Sequence, residues 1–316
     1  MAWQCRALAA ELRKPEHIKV GYASISGSRV SLWAAQDIGF FARNGLAAEL
    51  IFVATSVQGM PALLAGELAI FSGSPETAAQ AAAQGAELVI IASNEPTQYK
   101  LIVHPTIKRA EELKGKKIGI DRIGGSSYYA TRRMLEKVGL KPQDVEFMQV
   151  AGGGPQRVAA FRSGILAAVV TTIERFERAK VPYRVLADAI SMGIRIIGSS
   201  VVTTRTFRDK NRDLLLRFIR VLAEASRWTK NPKNREGVLN VFSRNLRTDD
   251  PSVLDLNYRL YVDPLPLFPY TNVEDLRSNL SDLAEGNPKL RELNVSDLVD
   301  NSFVQRVEAE GVAPLR

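Results

Sequence analysis

From residue 18 onward, short β-branched runs alternate with helical segments, and few architectures accept that order. The runs are "IKVGY" (18–22), "AELIFVA" (48–54), "LAIFSG" (68–73), "LVIIAS" (88–93), "YKLIVH" (99–104), "KKIGID" (116–121), "VEFMQV" (145–150) and "AAVVTT" (167–172). Glycine and proline punctuate the helices between them. Ser74-Pro75 reads as N-cap and first helical residue of "PETAAQAAAQG", which Gly85 closes. "PALLAG" stops at Gly66 and "PQRVAAFRSG" at Gly164, each with glycine where a left-handed residue ends a helix. Alternation of this kind predicts an α/β fold of mostly parallel sheets flanked by helices. It occurs twice, over about 18–93 and about 116–188, and "RIIGSSVVTT" (195–204) reads as a further strand. At 316 residues the chain has length for about two cores.

The C-terminal third changes character. Leu214, Leu215, Phe218, Val221, Leu222, Ala225 and Trp228 repeat at helical spacing, with Arg217, Arg220 and Arg227 off that face. "YVDPLPLFPY" (261–270) holds three prolines and must be irregular or extended.

Composition narrows the chemistry. Hydrophobic residues make up 46% and charged residues 24%, an ordinary globular balance. No apolar run approaches the ~20 residues of a membrane span. Cys5 is the single cysteine, so neither an intrachain disulfide nor a cysteine metal cluster is available. His17 and His104 are the two histidines, and neither falls in a metal-ligand spacing. No cofactor and no metal are therefore expected. The net charge of +8 suits nucleic acid or an anionic small molecule. Because the bases are interleaved with acids, as in "KRAEELKGKK", they read as solvated helix faces, and no nucleic-acid partner is expected. Near the start, Arg6, Glu11, Arg13 and Lys14 interrupt any apolar stretch of secretory length, so no signal peptide is read there.

Three blocks carry a family resemblance: "LWAAQDIGFFARNGL", "ALLAGELAIFSG" and "IKRAEELKGKKIGIDRIGGSS", followed by "FRDKNRDLLLRFIRVLAEASRWTKNP". Over roughly residues 18 to 235 the chain resembles the nitrate/sulfonate/taurine-type substrate-binding proteins of ABC importers. The resemblance implies a two-lobe, type II periplasmic-binding-protein-like fold that closes on a ligand about a two-segment hinge. Residues 1–17 would be an N-terminal extension, 18–103 with 200–316 lobe one, and 104–199 lobe two. The hinge would lie near "LIVHP" and "GSSVV". It also implies a monomer that delivers a small anionic or polar molecule to a membrane permease, and a periplasmic location. The missing export signal keeps a cytoplasmic location open. The alternative is an enzyme on the same fold, a lyase or hydrolase of desulfinase, aromatic-acid decarboxylase or thiamine-pyrimidine synthase type. Cys5 and the two histidines offer it no activated nucleophile or base, so no catalytic residue is expected.

Ligands in such folds sit beyond the C-terminal strand ends, where helix N-termini offer N–H groups to oxyanions. "GGSS" suits that task, with Gly125, Ser126 and Ser127 as candidate contacts, though either serine also fits the plainer role of helix cap. Other candidates are Ser26, Ser28 and Arg29 after the first strand, Gln58 in a polar loop, and Ser72 and Gly73 after the third. Gly153 after the seventh and Thr172 after the eighth complete the set. Thr171 and Glu174 fit a capping box, which would occupy the Thr171 hydroxyl. Arg29 and Arg122 are candidate charge partners for an anion, with a plain surface position as the default reading of either arginine. Trp33 and His104 read as packed or structural residues, and Tyr128 and Tyr129 are available as a wall for an aromatic ligand.

Overall fold

The computed structural model describes residues 14–94, 97–123, 125–150, 154–284 and 287–312. The chain enters through β1 (Glu16–Ala23), β2 (Leu46–Val53), β3 (Ile70–Gly73) and β4 (Leu88–Ser93). It continues through β5 (Lys100–Val103), β6 (Lys117–Ile120), β7 (Glu146–Gln149), β8 (Ala168–Thr171) and β9 (Arg184–Asp188), and returns with β10 (Ser200–Thr204). Two five-stranded sheets result, ordered β2-β1-β3-β10-β4 and β7-β6-β8-β5-β9. In the first, β1 is parallel to β2 and β3, while β10 runs antiparallel to β3 and β4. In the second, β6 is parallel to β7 and β8, while β5 runs antiparallel to β8 and β9. Each sheet is thus mostly parallel with one reversed strand, and the reversed strand is the one that arrives from the other sheet.

Helices fill the connections. These are α1 (Val30–Asp37), α2 (Phe40–Arg43), α3 (Ser56–Leu64), α4 (Pro75–Ala82), α5 (Ser126–Lys137), α6 (Gly154–Arg162) and α7 (Glu174–Ala179). After β10 come α8 (Arg205–Lys210), α9 (Arg212–Lys230), α10 (Arg235–Leu246), α11 (Pro251–Tyr261), α12 (Val273–Leu283) and α13 (Ser302–Glu310). The predicted punctuation is present. Ser74 caps α4 by accepting from Thr77 N–H, with Pro75 at its first position. Gly66, Gly85 and Gly164 take φ of 77°, 95° and 77°, the left-handed stop expected of them.

One face of the first sheet packs under α1, α2, α9, α10 and α13, through Trp33, Phe40, Phe218, Phe242 and Phe303. The other face belongs to a second apolar cluster that continues into lobe two, from Phe71 and Ile90 through Leu276 and Leu280 of α12 to Leu101, Ile118 and Tyr129. All six residues of β4 are buried, and its outer edge is covered where Asp300 N–H donates to the Ile90 carbonyl at 2.8 Å.

Three expectations need correction. Strand 100–103 is hydrogen-bonded into the second sheet, whereas the sequence reading had grouped it with the first. The first crossing therefore precedes "LIVHP", between β4 and β5. Only 200–204 of "RIIGSSVVTT" is strand; 195–199 belongs to the second crossing. The crossings run side by side, with Asn94 N–H on the Ser199 carbonyl and Thr97 N–H on the Ile196 carbonyl, both at 2.8 Å. Finally, β9 is a strand that periodicity overlooked, because only Ala187 of its five residues is buried.

Candidate functional site

The C-terminal ends of β1 and β3 meet at Arg29. Ser24, at the end of β1, holds φ at 65°, a backbone region costly for a non-glycine residue and common at binding sites. The turn that follows is capped by Ser26, and Arg29 ends it. Arg29 is 3% exposed. Its Nη1 donates to Ser72 Oγ at 2.7 Å and its Nη2 to the Ala23 carbonyl at 2.5 Å. Its Nε has no partner, and no carboxylate pairs with it among the described residues. Burial pushes this guanidinium down to about 10, against the weaker opposing effects of Tyr22 and Tyr261.

Facing loops of the two lobes touch through polar groups. Ser126 Oγ of lobe two donates to Glu76 Oε2 of lobe one at 3.0 Å, and Ser74 Oγ donates to the same oxygen at 2.5 Å. Arg122 Nη2 reaches back to Thr77 Oγ1 at 2.9 Å. On the other side, Tyr261 OH donates to Glu174 Oε1 at 2.8 Å and accepts from Ser26 Oγ at 3.1 Å. Thr172 Oγ1 donates to that same Glu174 oxygen at 2.6 Å, and Arg175 Nε lies 3.8 Å from it. A small pocket beside this group is lined by Ile25, Ser26, Glu174, Arg175 and Asn257.

Several buried polar atoms here have no hydrogen-bond partner among the described residues: Glu76 Oε1, Glu174 Oε2, Arg157 Nε and Nη1, Arg29 Nε and Asn257 Oδ1. Burial chiefly, with Asp121 as a like charge, pushes the Glu76 carboxyl up, partly opposed by the Ser74 and Ser126 hydroxyls. Burial likewise lowers Arg157, which Asp121 and Tyr99 partly restore. Native proteins seldom leave such atoms unsatisfied except where a solute or water completes them.

A family model described as NMT1/THI5 like matches residues 29–235, well over half of the chain. The chain belongs to the NMT1/THI5-like family. This family member is 22% identical over 326 residues to YtlA of Bacillus subtilis strain 168, covering 96% of this chain and 94% of YtlA. Its fold matches the periplasmic aliphatic sulphonate binding protein SsuA of Escherichia coli with a TM-score of 0.71, at 22% identity over 87% of this chain and 88% of SsuA. It also matches the periplasmic nitrate-binding protein NrtA of Synechocystis PCC 6803 with a TM-score of 0.73, at 12% identity over 94% of this chain and 89% of NrtA.

In this NMT1/THI5-like chain the residues expected to bind do not all come together. Ser26, Arg29, Ser72, Ser126 and Thr172 are drawn together where the lobes meet, but several spend their hydroxyls internally. Ser28 is half-buried, its carbonyl accepting from Asn94 Nδ2 at 2.9 Å. Gly73 is buried at the end of β3, and Gly125 is the N-cap of α5. Ser127 is instead a turn lock: its hydroxyl donates to Asp121 Oδ1 and accepts from Asp121 N–H. Gln58 is exposed in the first turn of α3, apart from these contacts. Gly153 lies outside the described residues. The capping box at Thr171 does not form, since Glu174 turns to Thr172 and Tyr261 and α7 has no side-chain cap. Tyr129 is 1% exposed and so offers no ring face to a solute, while half-buried Tyr128 packs edge-on to Phe147. Trp33 is buried, and His104 stacks on Phe161 with centroids 4.1 Å apart. His17 is exposed in β1, and Cys5 lies outside the described residues.

Sequence reasoning missed Glu76, Tyr99, Asp121, Arg157, Asn257 and Tyr261 as site residues. Glu76 and Arg157 had a readable signal: each sits in the first turn of a helix that follows a strand end. Tyr261 had none, being the last residue of α11, which packs on both α7 of lobe two and the turn at residues 27–29.

Proposed function

We propose that this protein is the solute-binding component of an ABC-type importer. It takes a small anionic or polar molecule between its lobes and delivers it to a membrane permease. Lobe one would comprise 14–94 with 200–312, and lobe two 97–199, with the paired crossings as the hinge. The observation that carries this reading is Arg29, a buried cation at the junction of the lobes with no counter-ion among the described residues. Burying an unpaired charge is costly, and an anionic solute would offset that cost. Family membership, the two-lobe fold and the binding functions named for SsuA and NrtA support the same assignment. The protein would act as a monomer in the periplasm or at a membrane surface; SsuA and NrtA are periplasmic by name, and no helix among the described residues is long and apolar enough to cross a membrane.

Thermal unfolding against nitrate, alkanesulfonates, taurine, aromatic carboxylates and pyrimidines tests this. A solute at 100 times its Kd should stabilise the fold by about 2.7 kcal/mol and be recovered unchanged. Its conversion during incubation would replace the binder with a lyase or hydrolase. Arg29→Lys, which cannot keep the forked contacts, should weaken that solute by about 1.5–3 kcal/mol in titration calorimetry.

A further inference from the structure

The unpartnered atoms at the lobe junction are of two opposite kinds. Arg29 Nε and Arg157 Nε and Nη1 are donors that need an acceptor. Glu76 Oε1 and Glu174 Oε2 are acceptors that need a donor. All four side chains are more than nine-tenths buried: Arg29 is 3% exposed, Arg157 6%, Glu76 1% and Glu174 6%. Arg29 joins the other groups through Tyr261, which hydrogen bonds connect to Ser26 on one side and Glu174 on the other. Asp121 acts on Glu76, Tyr99 and Arg157; Arg175 acts on Arg157, Tyr99 and Tyr261; Tyr261 acts on Arg29.

A plain anion would satisfy only half of this site. It would complete the arginines and leave two carboxylate oxygens dry and facing added negative charge. A plain amine would complete the carboxylates and leave the arginines unpaired. We infer that the solute is dipolar, an acid group and a hydrogen-bond-donating amino group on one small molecule, with Arg29 and Arg157 taking the acid and Glu76 and Glu174 the amine. The inference rests on the reading of the cleft as a solute site, and it narrows that reading by excluding nitrate and unsubstituted alkanesulfonates as preferred ligands.

The carboxylates are placed to sense the amine and closure together. Glu76 belongs to lobe one and accepts from Ser126 of lobe two, while Glu174 belongs to lobe two and accepts from Tyr261 of α11. An amine bound to either would lie between the lobes. Gly154 lets the Arg175 side chain lie against the start of α6, because a Cβ there would stand 2.0 Å from Arg175 Nη1.

Matched pairs that differ only in the amino group decide the matter: taurine against ethanesulfonate, β-alanine against propionate, and 4-(aminomethyl)benzoate against 4-methylbenzoate. Calorimetric titration of the full chain should show at least one amino compound bound ten times or more tighter than its partner. Glu76→Gln, nearly isosteric, should erase that preference, so that the two members of the pair bind with equal affinity. Should that variant fail to fold, Glu174→Gln carries the same comparison. Equal or tighter binding of the plain acids overturns the dipolar solute but leaves the binder standing. A preference that survives in both glutamine variants overturns the assignment of the amine to these carboxylates. No binding by any of the six compounds, with scattering curves that none of them alters, counts against the solute-binding reading itself.

Discussion

Glu76 shows how one carboxyl can serve a solute at the expense of the fold. Burial raises its affinity for a proton above that of a free glutamate, whose ordinary value is 4.5. Below that value both folded and unfolded chains hold the proton, and the group contributes nothing to pH dependence. As pH rises past it, the unfolded chain releases its proton first, so stability falls until the folded carboxyl also ionises. Glu76→Gln removes this loss. Denaturant titrations without solute should find the variant more stable than the parent at pH 7, with the difference shrinking toward pH 4. A parent that gains stability over this interval relative to the variant would contradict the burial argument. Ser127 is the opposite case, a residue that looked like a contact and is held by the fold. Its exchange of hydrogen bonds with Asp121 steadies the turn before α5, so Ser127→Ala should cost about 1 kcal/mol of stability.

The strand-to-helix turns were readable because their chemistry is local. Ser74-Pro75 caps α4 and Gly66, Gly85 and Gly164 end their helices where sequence placed them, since caps depend on neighbours three or four residues away. The turn after β1 is different. Its Gly27 is buried, and a Cβ there would stand 2.3 Å from Tyr261 Cδ2 and 2.5 Å from Asn257 Oδ1. The turn is therefore pressed against α11, more than two hundred residues away in sequence. Gly27→Ala should push the Tyr261 ring aside and destabilise the protein by about 1–3 kcal/mol. Unchanged thermal unfolding would mean that α11 sits less tightly on this turn than the geometry requires.

The whole molecule joins its lobes by two kinds of contact. Its lobes share an apolar cluster through α12 on one side and meet through polar side chains on the other. Tyr261 OH links Ser26 of lobe one to Glu174 of lobe two, a hydrogen bond to a carboxylate worth about 1.5–3 kcal/mol. Tyr261→Phe should shift the solute-free protein toward a more open form, seen as a larger radius of gyration by X-ray scattering. An identical curve would mean that the apolar side alone holds the lobes together. The two sheets, their helices and the long apolar face of α9 were legible from periodicity, because burial imposes repeats of two and 3.6 on any chain that forms such layers. Strand 100–103 was misgrouped because its pattern says that it is buried but not beside which strands. The same limit applied to Glu76, Arg157 and Tyr261. Glu76 and Arg157 stand in first helical turns after strand ends and Tyr261 carries no local mark, yet the polar group of each acquires its meaning only when segments far apart in sequence are folded into one water-poor junction, where an unpaired polar atom becomes expensive.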